Sequence, residues 1–345
     1  MPQQTVFRLP KHTSPSDLKQ CSEEIPKPAK HEVLIKIRSV SLNARDLQIS
    51  KDTYPMPVSD NVIPCSDGAG DIVDVGDGVM EFRKGDRVVI NFNIKHLYGT
   101  AKGFEGQQGG FIDGVLAQYV VRPADCVVKV PKSARQSYAE LASLVCTGVT
   151  AWNGLFGCVQ LKPGQTVLVQ GTGGISLTAL VLAKAAGATT IITSSSNDKL
   201  KDVQKKFGPD YTINYKEYPE WGSRALELIG EQGVDHVLEI GGVGTIEQSI
   251  KALAYGGHVS VIGYLADVDP SKMPNVLQLA LTKAAVVRGI LIGPKCMLED
   301  VVTFADRAKL KLPVEKEFGF SRDEVLSAYQ ELEKGALGKV CIRVE

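Results

Sequence analysis

The sequence predicts an α/β protein that combines a β-rich first domain with a doubly wound parallel sheet. Up to about residue 125, six short runs of alternating or β-branched residues are separated by Gly, Pro and Asp, a pattern typical of β-strands. From about residue 163, six strand patterns alternate with helix patterns, which predicts βαβ units with right-handed crossovers. A final helix and strand return the chain to the first domain. The predicted domains are 1–128 and 129–290, and the return segment is 291–345.

The β-rich part carries predicted strands at 6–9, 32–42, 70–75, 86–90, 116–121 and 126–130. Residues 91–114 are rich in Gly and only weakly apolar. This stretch predicts a long surface loop, and loops of such length are commonly functional or mobile. We expect it to shape the substrate site.

The second part carries predicted strands at 166–170, 189–194, 211–215, 235–241, 258–263 and 286–293. The helical patterns between them end at 186 or span 197–208, 221–233, 245–257 and 275–285. The return segment adds a helix at 323–335 and a strand at 339–344. Strands alternating with helices in this way indicate a parallel sheet that is covered on both faces.

Composition excludes several classes of protein. Lys plus Arg and Asp plus Glu number 39 each, so the formal charge is zero and a nucleic-acid partner is not expected. The seven cysteines form no C-x-x-C pair, since the two closest, Cys146 and Cys158, are twelve residues apart. No apolar run reaches the ~18 residues of a membrane span, and the first residues lack a signal-peptide pattern. We expect a cytoplasmic protein with reduced thiols, no disulfide framework and no membrane partner.

A glycine-rich turn follows the strand at 166–170 and precedes a helix. Glycine permits a tight turn there and leaves room for a pyrophosphate against the free N–H groups of the helix. Ser176 stands where the third glycine of the dinucleotide-binding fingerprint is expected, and serine is small enough for close packing. The predicted pyrophosphate site comprises Gly171, Thr172, Gly173, Gly174 and Ile175.

A second glycine cluster, at 241–244, follows the fourth strand of this sheet. Ligands of open parallel sheets bind where the strand order reverses, beside the first and fourth strands. Gly241 and Gly242 are therefore candidates for the nicotinamide half of a dinucleotide, and a purely structural turn is an equally good interpretation. Thr150, Ile262 and Gly263 complete the predicted cofactor contacts.

The end of the second strand indicates which dinucleotide binds. An NAD site places Asp or Glu there, whereas this chain has Ser194, Ser195 and Ser196, with Lys199 close behind. Hydroxyls and a lysine suit a 2′-phosphate, which a carboxylate would repel. The sequence thus favours NADP(H) over NAD(H), although Asp198 could take the role of the acid if the turn is shifted, and the serines could simply cap a helix.

The chain resembles the medium-chain dehydrogenase/reductase superfamily over its whole length. The segments that carry the resemblance are 63–89, 144–156, 161–176 and 338–344. It implies a GroES-like β-barrel catalytic domain, a Rossmann domain that binds a nicotinamide cofactor, and a small-molecule substrate. It also implies a homodimer paired along the edge strand at 286–293, whose apolar edge would otherwise be a pairing hazard. The alternative is a strand that flanking loops protect.

The resemblance also locates the positions that hold catalytic zinc in other members. The first ligand falls on Asn43, the His-Glu pair falls on Ser66 and Asp67, and the third ligand is Cys146. Zinc in a catalytic site usually takes three protein ligands, so a single cysteine is insufficient. The 91–114 loop has no cysteine for a structural zinc, and Arg45 stands at the position of the proton-relay hydroxyl. We expect no zinc.

These expectations define a zinc-independent, NADP(H)-dependent oxidoreductase that transfers hydride to or from a quinone, an enone or another small carbonyl compound. The candidate catalytic residues are Asn43, Arg45, Ser66 and Cys146. Tyr54 and Tyr264 are further candidates for a proton donor. The alternatives are an alcohol dehydrogenase with a non-standard or metal-assisted site, and a catalytically vestigial NADPH-binding sensor.

Overall fold

A computed structural model describes residues 2–230, 232–263 and 269–345. The chain forms two compact units, the first from Met1–Val149 with Gly293–Glu345 and the second from Thr150–Ile292. The first division thus falls at 149/150, where the sequence predicted 128/129. The helix that follows residue 137 packs against strands of the first unit, which extends that unit beyond the predicted boundary.

The first part of the chain forms β1 (Gln3–Arg8), β2 (Lys19–Glu24), β3 (Glu32–Ser41), α1 (Ala44–Ser50), β4 (Asp67–Val75), β5 (Arg87–Ile90), β6 (Tyr119–Pro123), β7 (Val127–Lys129), α2 (Tyr138–Ser143) and a π-helical turn (Leu144–Gly148). Next come α3 (Val149–Phe156), β8 (Thr166–Gln170), α4 (Gly174–Ala185), β9 (Thr189–Ser194), α5 (Asn197–Phe207), β10 (Tyr211–Asn214), α6 (Trp221–Ile229) and β11 (Val234–Glu239). The remaining elements are α7 (Ile246–Ala252), β12 (Leu253–Val261), α8 (Val276–Lys283), β13 (Val286–Gly289), α9 (Lys295–Arg307), β14 (Val314–Phe318), α10 (Arg322–Glu333) and β15 (Lys339–Arg343).

The first unit is built around a seven-stranded sheet in the order β14-β15-β3-β4-β5-β7, with β6 pairing with β3. Strand β15 lies between β14 and β3, parallel to the former and antiparallel to the latter. The apolar residues of β3, such as Val33, Ile35 and Ile37, are fully buried in the core of this unit. The last strand of the chain is therefore an interior strand of the first unit.

The second unit is a parallel six-stranded sheet in the order β10-β9-β8-β11-β12-β13. Strand β8, with the sequence TVLVQ, is a nearly continuous apolar run, as expected for an interior strand of a sheet that helices cover on both faces. The strand order reverses between β8 and β11, which are neighbours, so a ligand site is expected beyond their carboxyl ends. The predicted doubly wound sheet is confirmed.

Several elements differ from the prediction. Helix α7 ends at Ala252 and β12 begins at Leu253, five residues before the predicted strand, because Leu253 already pairs with β11. Strands β2 and β14 were not predicted, since both have largely exposed polar side chains. The 91–114 loop is exposed in its middle, but its ends are buried: Phe92 and Gln108 are almost fully covered.

Two histidines are buried side by side in the second unit. His236 on β11 pairs in register with His258 on β12, and the ring centroids are 5.6 Å apart. Three of the four ring nitrogens have no hydrogen-bond partner among the described residues: Nδ1 of His236 and both nitrogens of His258. Burial and the neighbouring ring lower the pKa of His236 to about 4, so this side chain is neutral at physiological pH.

Among the described residues, no helix has both the length and the apolar character needed to cross a membrane.

Candidate functional site

In the first unit, a buried lysine organises the start of α1. Asn43 is the N-cap of α1, and its backbone N–H donates to Asp46 Oδ2 at 2.8 Å. The Lys339 ammonium donates to Asn43 Oδ1 at 2.6 Å, to the Leu42 carbonyl oxygen at 2.6 Å and to Thr147 Oγ1 at 3.1 Å. With Oδ1 of Asn43 also accepting from the Thr147 hydroxyl at 3.3 Å, the amide orientation is fixed. The Asn43 Nδ2 group remains without a hydrogen-bond partner among the described residues.

A second buried cluster centres on Asp67, the first residue of β4. Its Oδ1 accepts from the Ser66 hydroxyl at 2.6 Å, and its Oδ2 accepts from the backbone N–H of Cys146 at 3.1 Å. Cys146 lies in the π-helical turn, a local distortion that recurs at functional sites and here directs the Cys146 amide toward the carboxylate. The Ser66 hydroxyl is fully buried and already committed to Asp67.

Burial sets the protonation of these groups. Burial raises the pKa of Asp46 to about 6, although the Arg45 charge opposes the shift. Burial also raises the pKa of Asp67, opposed by Lys339 and by the Ser66 hydroxyl. The pKa of the Cys146 thiol rises to about 12 through burial and the Asp67 charge. Cys146 is therefore a neutral thiol at physiological pH.

The structure brings together the four residues predicted to be catalytic, within the first unit. All four lie at or next to the two clusters: Asn43, Arg45, Ser66 and Cys146. Tyr54 lies beside Arg45, whose guanidinium carbon is 5.1 Å from the centroid of the Tyr54 ring. Tyr264 lies outside the described residues. The residues that sequence reasoning missed are Lys339, Thr147 and Gln108. The signal for Lys339 was present, as a lysine directly before the apolar run 340–342 of a strand pattern.

In the second unit, the glycine-rich turn joins β8 to α4 as predicted. Gly171 adopts a φ of 72°, a conformation that favours glycine, and a Cβ at Gly171 or Gly173 would meet no atom within 4 Å. No side chain caps α4, whose N-cap is Gly173, so its first N–H groups are available to an anion. Ser176 is buried and its hydroxyl donates to the Gln170 carbonyl oxygen, which explains how serine replaces glycine there. Ile175 lies half-buried in the first turn of α4. This geometry fits the pyrophosphate of a dinucleotide.

The second glycine turn is held by Glu239, a fully buried carboxylate at the end of β11. Its Oε1 accepts from the backbone N–H groups of Gly241 and Gly242, each at 2.9 Å, and from the Thr245 hydroxyl. Its Oε2 accepts from the Gln170 amide at 2.8 Å. The backbone amides of this turn are therefore occupied, and the structural interpretation accounts for both glycines.

Two further residues predicted to contact the cofactor, Ile262 and Gly263, directly follow β12. The backbone N–H groups of Ile262 and Gly263 donate to the Glu239 carbonyl oxygen, at 2.8 and 3.4 Å. Thr150, in α3 of the same unit, is buried.

The tip of β9 carries hydroxyls, and none of its residues from 193 to 196 is acidic. Ser194 is buried and its Oγ accepts from the Ser196 N–H, while Ser196 caps α5 by accepting from the Lys199 N–H. Ser195 is half-buried between them. Asp198, two residues after Ser196, is 95% exposed, and its carboxylate lies 3.7 Å from the Lys201 ammonium.

Comparisons with known proteins identify the family. Residues 29–132 match the alcohol dehydrogenase GroES-like domain, and residues 174–307 match the zinc-binding dehydrogenase family. The chain is 43% identical over 320 residues to a zinc-type alcohol dehydrogenase-like protein of Schizosaccharomyces pombe, covering 91% of each chain. The chain belongs to the medium-chain dehydrogenase/reductase superfamily. The resemblance seen in the sequence is confirmed.

Comparison with solved structures supports the same family assignment. A proposed alcohol dehydrogenase from Sinorhizobium meliloti 1021 superimposes with a TM-score of 0.90 at 36% identity, and 99% of each chain is covered. An NAD-dependent alcohol dehydrogenase superimposes with a TM-score of 0.86 at 27% identity, covering 99% of this chain and 100% of that one. This medium-chain dehydrogenase/reductase is thus an NAD(P)-dependent oxidoreductase with a GroES-like domain and a Rossmann domain.

The residues at the zinc-ligand positions of this medium-chain dehydrogenase/reductase differ from a zinc donor set. Zinc takes thiolate, imidazole or carboxylate ligands, and Cys146 is one such group. At the first position, Asn43 Oδ1 already binds the Lys339 ammonium, whose charge would repel a metal ion. Within the described ranges, no three His, Cys, Asp or Glu side chains come together in a way that could hold a metal. The residues present do not fit catalytic zinc.

Proposed function

We propose that this protein is a zinc-independent, NADP(H)-dependent reductase of activated carbonyl compounds, that is, of quinones, enones or related small carbonyls. The observation that carries the proposal is the hydrogen bond between Lys339 and Asn43, which places an ammonium against the residue at the first zinc-ligand position. A neutral amide and a buried lysine cannot act as a strong Lewis acid. Acceptors that are already activated require less polarisation.

The second unit would bind the cofactor. The uncapped N-terminus of α4 and the open space beside Gly171 and Gly173 suit its pyrophosphate. When bound, the nicotinamide supplies a hydride. The protein supplies positioning and electrostatic stabilisation, which lower the activation free energy substantially when the groups are held rigidly.

The first unit would bind the substrate. Asn43 is held in one orientation by Lys339 and Thr147, and its buried Nδ2 group, beside Asp67, can donate a hydrogen bond to a carbonyl oxygen of the substrate. Cys146, with a thiol pKa of about 12, is a weak proton donor rather than a nucleophile at neutral pH.

The choice of NADP(H) rests on the tip of β9. Ser194, Ser195 and Ser196 offer hydroxyls, and the nearby Asp198 is exposed. An NAD site would place a carboxylate on the ribose hydroxyls at this point. One related structure is named as NAD-dependent, so NAD(H) is the alternative that the experiment must address.

The test combines metal analysis with cofactor consumption. Purified protein is expected to contain well under one zinc per chain, and to oxidise NADPH faster than NADH with quinones and enones at equal concentrations. Stoichiometric zinc, lost in the Cys146→Ser variant, together with turnover of simple alcohols would overturn the proposal and favour an alcohol dehydrogenase. Tight NADPH binding without turnover of any acceptor would favour a sensor.

A further inference from the structure

Arg45 is a buried cation held between two aromatic rings. Its side chain is 7% exposed, and the guanidinium carbon lies 5.1 Å from the Tyr54 ring centroid and 4.9 Å from that of Phe92. Nη1 donates to the Gln108 carbonyl oxygen at 3.0 Å and lies 3.8 Å from Asp46 Oδ1. Contacts with ring faces stabilise a guanidinium and fix its plane.

Two of the three guanidinium nitrogens of Arg45 are unpaired within the part of the chain that the structure describes. Nε and Nη2 of Arg45 are buried and make no hydrogen bond to any residue that the structure describes. Although burial lowers the pKa of Arg45, the charge of Asp46 and the adjacent Tyr54 hydroxyl raise it, so the net shift is upward and the group stays charged. Two buried N–H directions without acceptors are unfavourable unless a ligand or a water fills them.

Arg122, a second buried arginine of the same unit, shows what a structural arginine looks like. Its Nε donates to Gln108 Oε1, its Nη1 to the Val121 carbonyl, and its Nη2 to the carbonyls of Asp113 and Gly114. All three nitrogens are used. Arg45 shares the Gln108 residue with this network but leaves two of its three nitrogens unpaired.

Glycine keeps the space beside Nη2 open. A Cβ at Gly110 would lie 2.8 Å from Arg45 Nη2. Any other residue there would fill the volume next to the unpaired nitrogen. The 91–114 loop thus contributes Phe92 and Gln108 to hold the guanidinium, and a residue without a side chain where its donors are unpaired.

We propose that Arg45 binds an oxyanion of the substrate, so that the preferred acceptor is an unsaturated carbonyl compound whose carboxylate or developing enolate oxygen pairs with Nε and Nη2. The inference rests on the proposed reductase function. Hydride adds to the β-carbon of the enone, the alkene π pair moves to form the enolate, and the carbonyl π pair ends on oxygen. Protonation of the α-carbon by water then completes the reduction, with NADPH oxidised to NADP⁺. A planar guanidinium suits both oxyanions because it presents paired donors in a fixed geometry.

The kinetic test uses 4-oxopent-2-enoate and its methyl ester, which share the enone, whereas only the acid carries a carboxylate charge. In Arg45→Met, a ground-state carboxylate partner predicts a KM raised about 10- to 100-fold for the acid alone, as expected for a lost charged hydrogen bond. An enolate partner predicts a similar fall in kcat for both compounds. Arg45→Lys retains the positive charge but lacks the paired N–H donors of the guanidinium. Its kinetic constants should lie between those of the wild type and those of Arg45→Met. The control Arg83→Met removes a largely exposed arginine of the same unit and should leave both substrates unchanged.

A binding measurement keeps this inference separate from catalysis. Calorimetry with 4-oxopentanoate and NADP⁺ should show binding to the wild type, weaker binding of the methyl ester, and loss of the difference in Arg45→Met. If no acceptor is reduced but this pattern holds, the reductase function fails and the oxyanion site stands. Unchanged kcat and KM for both substrates, within twofold, and unchanged binding in a folded Arg45→Met would overturn the inference. Should that variant not fold, Arg45→Met/Asp46→Asn, which removes both charges, takes its place.

Discussion

Lys339 joins three segments of the candidate site in the first unit. Its ammonium uses all three of its N–H donors, on Asn43, Leu42 and Thr147, and so joins the start of α1, the π-helical turn and the last strand. A buried lysine is stable only when its donors are satisfied and carboxylates lie near. Here burial raises the pKa of Asp67, and the nearby Lys339 opposes that rise.

The sequence predicted several residues of this site but not the contacts that they make. The positions of Asn43, Ser66 and Cys146 followed from the family resemblance, and the structure places all three in the same region. The hydrogen bond of Ser66 to Asp67, and that of Lys339 to Asn43 across 296 residues, could not be predicted because side-chain partners depend on tertiary packing.

The buried histidines of the second unit make its stability depend on pH. The pKa of His236 is about 4 in the folded state, lowered by burial and by His258, whereas an unfolded histidine titrates near 6.5. The unfolded chain therefore binds more protons between these values. The stability contributed by His236 is complete above pH ~6.5 and is lost as the pH falls toward ~4, by on the order of 3 kcal/mol at most.

We predict that His236→Leu flattens this dependence. Both tryptophans, Trp152 and Trp221, lie in the second unit, so their fluorescence reports its unfolding. Between pH 7.5 and 5, the free energy of unfolding measured in urea should fall more for the wild type than for the variant. A variant whose loss equals that of the wild type would contradict the pKa assigned to His236. Asp46 titrates in the first unit and shifts stability in the opposite direction, which is why a fluorescence probe confined to the second unit is required.

At the scale of elements, the proposed preference for NADP(H) rests on the connection from β9 to α5. Ser195 lies half-buried at this tip, and Ser196 caps α5. The sequence predicted both the strand and the helix with nearly their observed bounds, since the apolar run and the cap are local signals. The π-helical turn could not be predicted in this way because its residues are equally compatible with an α-helix.

Ser195→Asp should raise the KM for NADPH at least tenfold, because a carboxylate at the strand tip repels the 2′-phosphate, while the KM for NADH stays unchanged or falls. Steady-state kinetics with one acceptor measure both values. Asp198→Asn is the matched control and should change neither. If Asp198→Asn instead raises the KM for NADH, then Asp198 holds the ribose and the serine site is wrong.

At the scale of the whole molecule, β13 is an edge strand of the second sheet. Among the residues that the structure describes, it pairs only with β12, and the Ile290 N–H donates inward to the Val261 carbonyl oxygen. Backbone N–H groups alternate in direction along a strand, so that of Gly289 points outward. Helix α8, which precedes β13, exposes Leu277 at 85% and Leu281 at 80%. An apolar helix surface and an open strand edge together are consistent with the homodimer that the resemblance implies.

We propose that the protein forms this homodimer, and we predict that Gly289→Pro is monomeric, because proline removes the outward donor without displacing a side chain. A Cβ at this position meets no atom within 4 Å, so Gly289→Ala serves as the control and should remain dimeric. Light scattering after size-exclusion chromatography gives the mass of each form. A monomeric wild type, or a proline variant that stays dimeric at nanomolar concentration, would show that the edge strand does not mediate assembly.

The interior position of β15 also has a consequence for the order in which the protein folds during synthesis. The second unit is one continuous stretch, Thr150–Ile292, and all of its strands have been made before α9 is reached. The first unit begins the chain, yet its sheet has a gap beside β3 until residues 339–343 arrive. On the ribosome, the part of the protein made first should therefore be the last to reach its native state, with the exposed edge of β3 open to chaperones in the meantime.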